Sequence, residues 1–132
     1  MQYLKYSLLG LGYLLTLNLL NRIPDGKAPR FPKKPTIRQE GDILIMECIL
    51  EAYPVPDITW FHGDKEIRDG AKMKMSRKAI GKDTFNLTLE ILSPTQEDGG
   101  NYRCNAFNMF GESNANIALN FQGNKRFKYN QI

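Results

Sequence analysis

At 132 residues the chain has room for one domain of about 100 residues, with short segments at its ends. Its 42% hydrophobic and 24% charged residues are ordinary for a globular chain that buries a core. The formal charge of +4 comes from the ends, because residues 27–123 hold 13 Lys+Arg against 13 Asp+Glu; this argues against a nucleic-acid binder, which needs basic residues gathered on a folded face.

Residues 1–26 differ from everything after them. Lys5 precedes SLLGLGYLLTLNLL, residues 7–20, which is uncharged and contains eight leucines. A charged start followed by a short apolar run is the pattern of a secretory signal or signal-anchor. The run is short for a span of about 20 residues, and no small-x-small pair follows it. The segment is therefore read either as a leader that targets the chain or associates it with a membrane, or as a non-native start joined to an internal domain.

From Ala28 the texture is that of an all-β chain. Pro29, Pro32 and Pro35 predict an edge strand broken in two, since proline cannot donate to a central ladder. DILIMECILEA (42–52) reads as an apolar strand around Cys48, turned back by PVPD, and ITWFH (58–62) as the next strand, centred on Trp60. Lysines alternate in AKMKMSRK (71–78), which suits an edge strand protected against further pairing. FNLTLEI (85–91) places Phe85, Leu87, Leu89 and Ile91 on one face and Asn86, Thr88 and Glu90 on the other, the period of a half-buried strand. NYRCNAF (101–107) and NANIALNF (114–121) predict a final hairpin through Asn108–Gly111. Residues 124–132 are short and polar, and read as a tail or the start of a linker.

Cys48 and Cys104 lie 56 positions apart, and Trp60 follows Cys48 by 12. That Cys…Trp…Cys spacing among short strands is the signature of a two-sheet immunoglobulin sandwich, with Trp60 packed against the two sulfurs. Tyr102, two residues before Cys104, points into the same core, and its hydroxyl needs a partner at the corner shaped by Asp98 and Gly100. Catalysis does not explain the stretch.

DGGNYRC (98–104) fits the D-x-G-x-Y-x-C pattern of immunoglobulin domains, and NAFNMFG (105–111) fits the A-x-N-x-x-G of their intermediate (I) set. EAYPVPDITWFHGDKEI (51–67) is similar to the middle strands of that set. APRFPKKP (28–35) and ESNANIALNF (112–121) resemble modules of twitchin- and titin-like giant muscle proteins. The resemblance implies an I-set β-sandwich over residues 27–123, without enzymatic activity, cofactor or metal. It also implies a core of Cys48, Trp60, Leu89, Tyr102 and Cys104 with Asp98 at its corner. Cys48 and Cys104 are a disulfide if the module is secreted, and thiols in a reducing compartment.

His62 stands in a predicted exposed turn with no second ligand or nucleophile at a useful spacing. Asn86-Leu-Thr88 is a glycosylation sequon on the predicted wet face, usable only in the secretory route. The sequence reading is a structural or protein-binding module of a sarcomeric muscle protein, with filament proteins as its partners. The alternative is a secreted or membrane-anchored adhesion module binding cell-surface proteins, which residues 7–20 and Asn86 support.

Overall fold

Strict alternation of apolar and polar residues forces strands to share one dry interior, and two sheets provide it. The computed structural model describes residues 26–122 and 126–131; residues 1–25, which hold the apolar leader, lie outside them. In chain order the strands are β1 (Lys27–Arg30), β2 (Thr36–Glu40), β3 (Ile43–Tyr53), β4 (Asp57–His62) and β5 (Lys65–Glu66). They continue with β6 (Met73–Gly81), β7 (Thr84–Leu92), β8 (Gly100–Asn108), β9 (Gly111–Gln122) and β10 (Arg126–Gln131).

One sheet runs β1-β3-β7-β6, with β2 also paired to β3; the other runs β10-β9-β8-β4-β5. All the pairings are antiparallel. The fold is an all-β immunoglobulin-like sandwich. The proline-rich stretch 31–35 interrupts the first edge, so β1 and β2 pair separately with β3. The basic strand β6 is the far edge of the same sheet. Residues 126–131, read from the sequence as a tail or linker start, pair with residues 117–122 of β9. The exposed backbone edge of β9 supplies the reason, since an unpaired strand is a template for another.

The core follows from the alternation. On β3, Leu44, Met46, Cys48, Leu50 and Ala52 face inward and are buried. On β7, Leu87, Leu89 and Ile91 do the same. Facing them from the second sheet are Trp60, Tyr102, Cys104, Ala106, Ala115, Ile117 and Leu119. Burying a side chain of this kind completely contributes about 1.5–3 kcal/mol. Partly buried Phe31, Ile58, Met73, Met75 and Phe85 close the rim of the cluster.

Tyr102 carries a polar atom into this interior. It is fully buried, and its hydroxyl donates to the Asp98 carbonyl at 2.5 Å. Burial, then the nearby Asp98 charge, pushes the phenol well above its ordinary range, so it stays protonated and able to donate. Tyr102→Phe keeps the ring and removes this bond. A loss of about 1–2 kcal/mol is expected in urea melts; an unchanged midpoint would mean the bond contributes nothing net.

Candidate functional site

The corner between the sheets gathers several of the residues singled out in the sequence. Residues Gln96–Asp98 form one short 3-10 turn. The buried Asp98 carboxylate accepts from the Thr95 N–H at 2.7 Å and meets the Lys72 ammonium at 3.1 Å. Lys72 also donates to the carbonyls of Leu92 at 3.2 Å and Ser93 at 3.1 Å. Lys72, the first of the alternating lysines, is thus spent on the corner, whereas Lys74 and Lys78 remain exposed on β6.

His62 corrects another sequence expectation. It is half-buried, not an exposed turn residue, and stacks on Tyr102 with ring centroids 4.3 Å apart and planes 3° apart. Its Nε2 lies 2.8 Å from the Gly99 carbonyl, an acceptor, so Nε2 carries the proton. Gly100 has φ +125°, and a Cβ there would stand 3.1 Å from that nitrogen. Both demands favour glycine. Among the described residues, no group of three or more His, Cys, Asp or Glu is placed to hold a metal ion.

Cys48 and Cys104 are buried free thiols. Contact with the Cys48 sulfhydryl, then burial, pushes the Cys104 thiol far above the ordinary thiol range. The thiolate is the reactive form. Both cysteines are therefore expected to resist Ellman's reagent in the native protein and to react once urea unfolds it. Stoichiometric reaction without urea would contradict the packing.

Asn86 lies on the outer face of β7, half-buried. Its Nδ2, the atom that would carry a glycan, donates to Glu47 Oε2 at 2.9 Å, while its Oδ1 is buried without a protein partner. Glu47 Oε1 in turn accepts from Arg38 at 2.5 Å. The hydrogen bond from Asn86, the largest effect, outweighs the opposing effect of burial and, with the lesser help of Arg38, holds the Glu47 carboxyl below its ordinary value of 4.5. A carboxyl depressed in the folded state stabilises the protein above its unfolded pKa, and that stability is lost as pH falls through the folded value. The wild type should lose more stability than Glu47→Gln as pH drops through and below 4.5, a modest difference because Glu47 is partly exposed. Parallel urea-midpoint curves for the two proteins would refute the coupling.

The described surface concentrates its large apolar side chains at one end of the sandwich. Tyr53 and Val55 flank the β3–β4 turn, Ile80 nears the β6–β7 turn, and Phe107, Met109 and Phe110 surround the β8–β9 turn; each is 41–57% exposed. Buried Asn108 ties this end together, donating to the carbonyls of Lys27 at 2.8 Å and Pro54 at 3.1 Å and accepting from the Phe110 N–H at 2.8 Å. The Ala52 N–H donates to the Asp83 carbonyl at 2.9 Å, and Lys27 lies 3.4 Å from the Asp83 carboxylate. The β6–β7 turn therefore joins the same assembly. Gly26 packs against the Phe110 ring, so the chain enters the domain here.

A sequence profile of the immunoglobulin I-set domain matches residues 28–121. The chain belongs to the immunoglobulin I-set family. It is 31% identical over 105 residues to neural cell adhesion molecule L1 of Takifugu rubripes, covering 75% of this chain and 8% of that protein. It is 34% identical over 91 residues to the muscle M-line assembly protein unc-89 of Caenorhabditis elegans, covering 69% of this chain and 1% of that protein. The chain thus spans under a tenth of the length of these relatives. A chimeric titin Z1Z2 tandem structure superposes with a TM-score of 0.61 at 22% identity, covering 74% of this chain and 51% of that one, a likeness of fold. The I-set relatives include both muscle proteins and cell adhesion molecules.

Sequence reasoning overlooked the apolar end. Its signal was the placing of Val55, Met109 and Phe110 in turns, where polar residues ordinarily stand.

Proposed function

We propose that the chain works as a non-enzymatic protein-binding module of a sarcomeric, twitchin-like muscle protein, with residues 27–123 as its working unit. The observation that carries this reading is the clustering of Tyr53, Val55, Ile80, Phe107, Met109 and Phe110 at one end. Large apolar side chains gathered at one end of a domain are costly to leave in water and point to a place of contact. Asn108 bonds tie the segments beneath it to one another, which lowers the ordering that binding must supply. The muscle setting draws support from the likeness to unc-89, and engagement of Asn86 Nδ2 with Glu47 is consistent with a module that carries no glycan.

A second reading, an adhesion module at the cell surface, is favoured by the apolar run 7–20 and the sequon at Asn86. It also draws on the likeness to neural cell adhesion molecule L1.

Imaging of the fluorescently tagged chain in striated muscle cells separates the two. Periodic bands in register with the sarcomere are expected, and cell-outline staining would favour the adhesion reading. Val55→Asp with Met109→Asp should disperse the bands while leaving the urea midpoint within about 0.5 kcal/mol of wild type, as for surface changes. Undisturbed bands would remove the apolar end from the contact.

A further inference from the structure

The sandwich is open along one side. Between β4 of one sheet and β6 of the other lies a cleft of about 410 Å³ lined by Asp57, Ile58, Trp60, Met75, Ser76 and Arg77. Both walls are strand edges. Just before β6 the Lys72 carbonyl accepts from Leu92, so the even-numbered residues of β6 bond toward β7. The Met73 carbonyl accepts from Gly70, and the Met75 N–H donates to Asp69, so odd-numbered residues bond outward. By the same alternation the Met75 carbonyl and the N–H and C=O groups of Arg77 and Ala79 face away from β7. On β4, the Trp60 carbonyl is taken by Ile67, which places the N–H and C=O of Ile58 on the outer edge beyond the two-residue strand β5.

We infer that the β6 edge accepts an extended acidic segment of a partner protein as an added strand, with every second side chain entering the β4–β6 cleft. Backbone groups of the edge supply the pairing, and alternate side chains supply the choice of partner. The inward positions meet Ile58 and Met75, an apolar wall suited to a valine or isoleucine. The outward positions lie along Lys74 and Lys78, which are exposed and in no ion pair among the described residues. Glu90, opposite Lys74 in the register, is the acidic neighbour on that face.

Edge lysines ordinarily prevent a sheet from pairing with its own kind. Here the same charges become a filter, repelling basic strands and favouring one that carries carboxylates at a spacing of two. Arg77, whose guanidinium donates to the Pro56 carbonyl at 3.0 Å, bridges the two walls and sets one limit of the cleft. The site borders the apolar loop end at Pro56 and Ala79 but uses different side chains, so its failure would leave the proposed function untouched.

The test is a titration of the isotope-labelled full chain with an acetylated, amidated peptide alternating glutamate and valine, followed by backbone amide NMR. Saturable shifts centred on residues 75–79 and 57–60 are expected, and the lysine–valine counterpart should produce none. Lys74→Glu with Lys78→Glu should weaken binding by about tenfold or more. Arg77→Ala and Arg77→Pro both lose the guanidinium, but only the second loses the outward N–H, which an edge strand tolerates. Binding retained by Arg77→Ala and lost by Arg77→Pro, with both spectra dispersed, is the expected outcome. Equal binding of the two peptides, equal binding by the two Arg77 variants, or shifts confined to lysine side chains would overturn the inference.

Discussion

Everything in this domain depends on two sheets burying their inner faces at the same time, because neither β3 nor β8 can hide its apolar side alone. Trp60, Cys48, Leu89 and Cys104 meet where those faces touch, and all are buried. A strand slipped by one residue would turn its whole apolar set outward. The register of β3 against β7, from Ile43 with Leu92 to Glu51 with Thr84, is therefore fixed by packing as much as by hydrogen bonding. The polar corner is tolerable only because each buried group has a partner: Tyr102 with the Asp98 carbonyl, and Asp98 with Thr95 and Lys72.

Much of this was legible in the amino-acid order. The alternation in β7 identified its buried face, and the prolines between β1 and β2 located the broken edge. The spacing of Cys48, Trp60 and Cys104 named the architecture, since a two-sheet interior is where such a trio comes together. What escaped notice belongs to approaches between distant segments. His62 stacks on Tyr102 only because β4 and β8 are neighbours, with the two residues directly opposed. Lys72 reaches Asp98 only once the crossing from β5 to β6 is in place. β10 depends on the vacant edge of β9, a property of the partner strand that no pattern within residues 126–131 declares.

The candidate contact surfaces were harder to see than the fold, for a related reason. An apolar residue in a turn looks like any other until the fold shows that its neighbours in space are also apolar. Val55 and Phe110 are 55 positions apart in sequence, yet their turns are joined through Asn108, which bonds to both Pro54 and Phe110. The β6 edge shows the converse. The lysines were conspicuous in sequence, but the strand's orientation was needed to see that Lys72 pairs with Asp98 while Lys74 and Lys78 meet no acid among the described residues.

The two sulfhydryls rest against each other in a closed interior without a covalent link. Oxidation would add a link between strands that the packing already brings together, a contribution on the order of 4 kcal/mol for a loop of about 57 residues. Whether the sulfurs join or stay apart, the surrounding side chains already fill the space and the strands already hold their register. The same interior therefore suits a reducing or an oxidising compartment. That portability accords with a family whose members serve in muscle and in cell adhesion alike.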